Sequence, residues 1–304
     1  MTIGCPLCKS ADTTLREVVL GRDLNALYVQ HVGIPDAVQT ATLEYRECGN
    51  CALKFFWPLE AGREAFYEKL QAFDWYYGEK KEEFQIALTL LESAGKILEV
   101  GAGKGVFGMM VGSGRYTGLE FNGKAIERAK AMGISLLKES IEDHAKRMPH
   151  TYDAVVSFQV LEHVESPAAF LSACVECLKP GGVMIISVPS QDGFIAQAIN
   201  HVLDMPPHHL THWSEVTLRK VGDIFNLSLI LLEHEKIATY HGRSIRKIRI
   251  ENWIRMHLGF KFRLVDRRFA ARALSRIAGF LARFALPLPT GIKGHTVVAG
   301  YRKL

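Results

Sequence analysis

Ile97-Leu98-Glu99-Val100-Gly101-Ala102-Gly103-Lys104-Gly105 is the stretch that decides the fold. An apolar run carrying one acid breaks into three glycines at alternate positions. The apolar residues read as a buried parallel strand. The glycines read as a tight strand-to-helix turn, where a ligand can press against bare backbone. Glu99 is the discriminating residue. A strand end inside an α/β sheet is normally apolar, so a carboxylate there needs partners to offset its desolvation. The expected partners are amides of the glycine loop and an ammonium group on the ligand. Gly103-Lys104-Gly105-Val106-Phe107-Gly108 also satisfies the dinucleotide pattern G-x-G-x-x-G. In a nicotinamide or flavin enzyme, however, the first glycine follows the strand directly. Counted from Gly101, the third glycine position holds Val106. A nicotinamide-dependent oxidoreductase is therefore the weaker alternative.

Downstream, Tyr116-Thr117-Gly118-Leu119-Glu120 reads as a second strand, its acid nineteen residues beyond Gly101. A carboxylate there can accept both hydroxyls of a ribose. An amphipathic helix around Ala125–Lys130 and a third strand at Ile134–Leu137 follow, then a turn at Glu139–Asp143. Tyr152–Val164 reads as a strand entering a short turn. Leu178-Lys179-Pro180-Gly181-Gly182 reads as a turn before a fifth strand at Val183–Pro189. In order and spacing, Ile97–Pro189 resembles class I S-adenosylmethionine-dependent methyltransferases, and is similar to the O-methyltransferases of ubiquinone biosynthesis. The resemblance implies an α/β, Rossmann-like, mostly parallel seven-stranded sheet with S-adenosylmethionine as cofactor. By position it implies cofactor contacts at Glu99, Gly101, Ala102, Gly103 and Gly105, and at Glu120 and Phe121 near the ribose. Ile141 would lie on the adenine, Glu142 at its exocyclic amine, and Phe158 and Gln159 along the adenosyl group. No Asn/Asp-Pro-Pro-aromatic run follows the fourth strand, which speaks against a nucleobase nitrogen as acceptor.

With 304 residues and 48% hydrophobic content, the chain can hold one large domain with attachments. It has no apolar run long enough for a membrane span. Its first residues lack the basic and apolar regions of a signal peptide. Six cysteines in such a chain point to a reducing cytoplasm and to metal rather than disulfides. Cys5-Pro6-Leu7-Cys8 and Cys48-Gly49-Asn50-Cys51 are two C-x-x-C knuckles, able together to close a tetrahedral Zn²⁺ site of structural type. The long gap between them requires an elaborated loop. Cys174 and Cys177 share the spacing but lie in a helix with no second pair, and read as packed residues.

The expected organisation is a zinc-ribbon-like module at 1–60, an aromatic helical linker at 61–92, and a cofactor-binding core at 93–240. A basic helical insertion at 241–289 and a last core strand at 290–304 complete it. The linker carries Phe66, Tyr67, Phe73, Trp75, Tyr76 and Tyr77, with Tyr76 and Tyr77 as candidates to roof the pocket. Zinc module, aromatic linker and glycine loop together resemble bacterial methyltransferases acting on sugars, polyketide-like compounds and cell-surface precursors.

Pro206-Pro207-His208-His209-Leu210-Thr211-His212-Trp213-Ser214 leaves the carboxyl edge of the sheet, where acceptors bind in open α/β folds. Histidine titrates near neutrality and can take a proton from an acceptor hydroxyl. His209 and His212 lead as candidates for the general base, with His208 behind them. The alternative is that these rings hold the loop through backbone hydrogen bonds. His163 is expected in the pocket wall. From Arg243 to Arg283 there are twelve Lys/Arg against Glu251 and Asp266, a local +10 that leaves the rest of the chain at −5. Interleaved apolar residues make this segment suit a lid, a homo-oligomer contact or an anionic membrane surface through 243–284, with nucleic acid behind these. The expected reaction is methyl transfer to oxygen or carbon of a small molecule, glycan or lipid-linked precursor. The expected location is cytoplasmic, peripheral at the inner face of the membrane if lipid is the partner. An RNA methyltransferase gripping RNA through module and insertion is the alternative; a binding protein without turnover also stays open.

Overall fold

The computed structural model describes residues 3–71, 73, 82–237, 241–284, 288 and 291–304. The N-terminal part is an antiparallel unit. β1 (Thr13–Leu20) pairs with β2 (Thr42–Cys48), and β2 pairs with β3 (Lys54–Trp57). The elaborated loop between the cysteine pairs is α1 (Gly21–Val32), which buries Leu24, Leu27 and Tyr28 and ends at Gly33 in the left-handed conformation. Strand alternation in β2 turns Leu43 and Tyr45 inward onto this helix. Two helices follow, α2 (Glu64–Gln71) and α3 (Glu82–Leu90).

The main sheet then builds in strand–helix steps. β4 (Ile97–Val100) leads through the glycine loop to α4 (Val106–Val111), and β5 (Tyr116–Leu119) to α5 (Gly123–Ala131). β6 (Leu136–Leu137), α6 (Ile141–Arg147), β7 (Tyr152–Phe158), α7 (Pro167–Cys177) and β8 (Leu178–Pro189) complete the parallel part. β9 (Thr211–His212) and α8 (Glu215–Phe225) precede β10 (Leu227–His234). The insertion supplies α9 (Gly242–His257) and α10 (Phe269–Leu281), and β11 (Thr296–Lys303) closes the chain. The seven-stranded sheet runs β10-β11-β8-β7-β4-β5-β6. β11 lies antiparallel to both β8 and β10, and the other pairings are parallel. This is the expected fold class. Helices cover the parallel strands, so β4 and β7 are buried almost throughout instead of alternating. Strand order reverses beside β4, which puts the glycine loop at the topological switch point.

Two local expectations change. The fifth strand begins at Leu178, before the expected turn, because the pairing with β7 skips from Leu178 to Val183 and Gly181 takes φ 75°. The histidine loop does more than leave the sheet edge. Its residues Thr211 and His212 pair with Phe55 and Lys54, adding β9 to the N-terminal sheet in the order β1-β2-β3-β9. The insertion is anchored as well. Leu264 and Val265 join the core of the N-terminal unit, and Glu17 accepts the Leu264 amide at 2.8 Å. Arg255 and Asp266, both buried, pair at 2.9 Å behind them.

Candidate active site

One cavity of about 1540 Å³ runs along the carboxyl ends of β4, β5 and β7 and continues to the histidine loop. At one end stands the glycine loop. Gly101, Gly103 and Gly105 all have positive φ, and a Cβ at Gly101 would meet Val160 at 2.3 Å. The amides of Gly101, Ala102 and Gly103 do not go to Glu99 as expected. Gly101 and Ala102 donate to the Leu119 carbonyl, and Gly103 donates to Glu120 at 2.8 Å. Glu99 instead accepts from the Tyr116 hydroxyl. The reason lies in register: Glu99 pairs with Gly118, whose missing side chain lets the ring of Tyr116 fold across to the carboxylate. Burial first, and Glu99 second, push the Tyr116 phenol far above its ordinary range.

Glu120 follows β5 and accepts from Gly103 and from the Asn122 amide, each at 2.8 Å. Burial raises its pKa, against the pull of these amides. Its placement ties the end of β5 to the glycine loop. Phe121 is exposed at the rim, while Ile141 is buried at the start of α6 and Glu142 lies beside it. Phe158 sits in the wall, packed on Phe84 and Phe107 at 4.8 and 4.9 Å, so it is core aromatic and cavity wall at once. Gln159 adopts φ 56° and donates to buried Glu83 at 2.9 Å. Gly105 caps α4 and packs near Ile134 instead of lining the cavity.

The other end is formed by imidazoles. His163, His208 and His209 line the cavity with Tyr67, whose ring stands perpendicular to His163. His209 donates through Nδ1 to Asp204 at 3.0 Å, and His208 through Nδ1 to the Leu203 carbonyl at 2.8 Å. His212 corrects the expectation that it serves as base. Tyr45 occupies its Nδ1 at 2.7 Å, the Asp204 carbonyl its Nε2 at 2.8 Å, and its ring packs edge-on against Phe56. The strand β9 turns it away from the cavity. Burial pushes His163 down to about 3, helped by His209, and holds His208 well below its ordinary value. Nearby histidines keep Asp204 ionised despite its burial.

The sequence reading missed Glu83, Glu162, His201, Asp204, Glu235 and His295, all in the cavity wall. Burial raises Glu235 and lowers His295 to about 4. Glu162, inside the Tyr152–Val164 motif and beside His163, and Asp204, near the histidine run, were within reach of sequence; the others carry no motif. Trp75, Tyr76 and Tyr77 lie outside the described residues. The four N-terminal cysteines meet as expected. Cys5 and Cys51 sulfurs are 3.6 Å apart, Cys8 and Cys48 3.5 Å, and all four lie within 4.8 Å of one another. A disulfide needs about 2.05 Å. Tetrahedral Zn–S bonds of about 2.3 Å place sulfurs roughly 3.8 Å apart, so the set fits zinc.

A Rossmann-like fold with a glycine loop at its switch point and an acid on the neighbouring strand defines a nucleoside-binding class. The family model described as a methyltransferase domain matches residues 75–232, and the chain belongs to that family. It is similar to the ubiquinone biosynthesis O-methyltransferase of Dechloromonas aromatica, 34% identical over 127 residues, 38% of this chain and 55% of the relative. The corresponding protein of Nitrosospira multiformis is 33% identical, covering 38% of this chain and 53% of its own. The chain thus spans about half the length of the curated relatives it matches. Among solved structures, a SAM dependent methyltransferase from Archaeoglobus fulgidus shares the fold, with a TM-score of 0.53 and 16% identity. That likeness covers 78% of this chain and all of the other.

Proposed function

We propose that the chain transfers a methyl group from S-adenosylmethionine to oxygen or carbon of a small molecule, glycan or lipid-linked precursor. One observation carries this: a single cavity joins the glycine loop and Glu120 at one end to the imidazole cluster at the other. Its volume exceeds the roughly 300–1,000 Å³ of ordinary ligand pockets, leaving room for a nucleoside and an acceptor together. The names of the curated relatives favour an oxygen acceptor. The cofactor supplies an electrophilic methyl on sulfonium. For an oxygen acceptor the carbon–oxygen bond forms as the carbon–sulfur bond breaks, and the electron pair stays on sulfur. The acceptor proton leaves toward His209, which Asp204 holds in place. The four cysteines hold structural zinc in this reading, and Glu99, Glu120, Ile141 and Phe158 line the cofactor. The division into module 1–60, linker 61–92, core 93–240, insertion 241–289 and last strand 290–304 serves it. The test is to incubate the chain with labelled S-adenosylmethionine and cell extract and identify the labelled product, with calorimetry on the cofactor. No heat with S-adenosylmethionine or its demethylated product, but heat with a nicotinamide, would overturn it.

The insertion supports a second reading, docking on an anionic membrane surface. Trp253, Met256, Phe269, Phe280 and Phe284 are each more than half exposed on the segment that carries the +10 charge. Among the described residues no helix is long and apolar enough to cross a membrane. The chain should sediment with anionic vesicles, not zwitterionic ones, and lose that association in high salt. Equal binding to both removes the idea.

A further inference from the structure

Three imidazoles meet at the acceptor end, and they share one pattern. A ring nitrogen from each of His163, His208 and His209 lies within 4.8 Å of the other two. Their ring centroids are 4.5 to 4.9 Å apart. Behind each ring stands an acceptor for Nδ1: the His208 carbonyl for His163, the Leu203 carbonyl for His208, and the Asp204 carboxylate for His209. Donation from Nδ1 fixes the tautomer and assigns the ring lone pair to Nε2 in all three. An acceptor behind each imidazole is how proteins orient metal-ligating histidines. Glu162 adds a carboxyl oxygen 3.8 Å from Nε2 of His163.

We propose that His163, His208 and His209 bind one divalent transition-metal ion, with Glu162 beside it and a coordination position open to the cavity. Neutral imidazoles select zinc, cobalt, nickel or ferrous iron over magnesium or calcium. Metal–nitrogen bonds of about 2.0–2.1 Å set ligand nitrogens roughly 3.3 Å apart, so the rings must close by up to about 1.5 Å. His208 and His209 lie stacked at an interplanar angle of 19°, so one of these two rings must also turn out of the stack for both lone pairs to meet the ion. With the ion bound the rings would no longer serve as bases; an acceptor hydroxyl at the open position would be acidified and would release its proton to cavity water. The acceptor role rests on the methyl-transfer reading; the metal site does not.

Cobalt separates this site from the cysteines. Thiolate-bound cobalt shows a strong sulfur-to-metal charge-transfer band, and imidazole-bound cobalt shows only weak ligand-field bands. The full-length chain, stripped of metal and titrated with Co²⁺, should take up two equivalents, the second without the sulfur band. His208→Gln and His163→Gln should each lose the second equivalent and keep the first, whose sulfur band also reports folding. One equivalent in the unsubstituted chain, or a second that survives both substitutions, overturns the proposal. Calorimetry with S-adenosylmethionine on the same samples keeps the readings apart. Cofactor binding with a single cobalt equivalent sinks only the metal site; two equivalents without cofactor binding sink only the methyl-transfer reading.

Discussion

The two ends of the cavity are built in different ways. The end proposed for the cofactor comes from consecutive strand–loop units, Ile97–Phe107, Tyr116–Asn122 and Ser140–Glu142, each reaching the cavity through its own backbone turn or strand end. The acceptor end is gathered from distant segments. Glu83 comes from α3, His163 from the turn after β7, Asp204 to His209 from the histidine loop, and His295 from the approach to β11. The N-terminal sheet buttresses that second end, because β9 is its fourth strand. A local site survives small shifts of the fold. A gathered site depends on every segment that frames it.

Removing one of the four clustered cysteines, the proposed zinc ligands, should split the two ends most widely. Structural zinc contributes on the order of 10–16 kcal/mol of apparent binding energy in small modules, and that energy becomes folding energy. Cys48→Ser should release the metal and unfold the N-terminal sheet, and with it the support of β9. Turnover should vanish while calorimetry still detects the cofactor. Loss of both together would show that the cofactor end also leans on the module. Glu120→Ala attacks the opposite end. It removes a buried carboxylate that braces the glycine loop, and should weaken cofactor binding by about 1.5–3 kcal/mol, the scale of charge-assisted hydrogen bonds. An unchanged dissociation constant would mean the ribose lies elsewhere.

Acid should touch the acceptor end more gently. Burial depresses His295 to about 4, so the folded chain resists the protonation that the unfolded chain accepts below about 6.5. Its contribution is therefore complete above that pH and is lost as pH falls toward 4. At pH 5 the loss should be about 1–2 kcal/mol relative to pH 7.5. Raised carboxylates such as Glu120 and Glu235 act with the opposite sign, so the comparison must be with His295→Gln. Thermal unfolding of that variant should fall less steeply with acid. Parallel curves would reject the assignment.

What sequence could reveal follows the same division. The glycine loop and the place of Glu120 beside it were legible because strand, turn and acid lie within one short span. Even there the partner of Glu99 was hidden, since only pairing with Gly118 brings the Tyr116 hydroxyl across. The cysteine knuckles were legible because each pair is local; the sheet that joins them to the histidine loop was not. His212 illustrates the limit best. A two-residue strand has no period to read, and whether its ring faces cavity or sheet depends on pairing with Lys54, far away in sequence. Leu264 and Val265 are alike: inside a basic segment, they became core residues of the N-terminal unit.

The smallest expected effect probes how the two sheets communicate. Tyr45 on β2 meets His212 Nδ1 at 2.7 Å, His212 Nε2 meets the Asp204 carbonyl, and the Asp204 carboxylate holds His209. Tyr45→Phe keeps the ring packed on Phe56 and deletes only the hydroxyl. It leaves a buried imidazole nitrogen short of one hydrogen bond, a cost of about 1 kcal/mol in stability. If the line from Tyr45 to His209 positions the acceptor end, kcat should fall several-fold while cofactor affinity and acceptor KM stay level. A variant that loses the same stability but keeps its kcat would make Tyr45 a packing residue. The histidine loop would then hold its geometry through β9 alone.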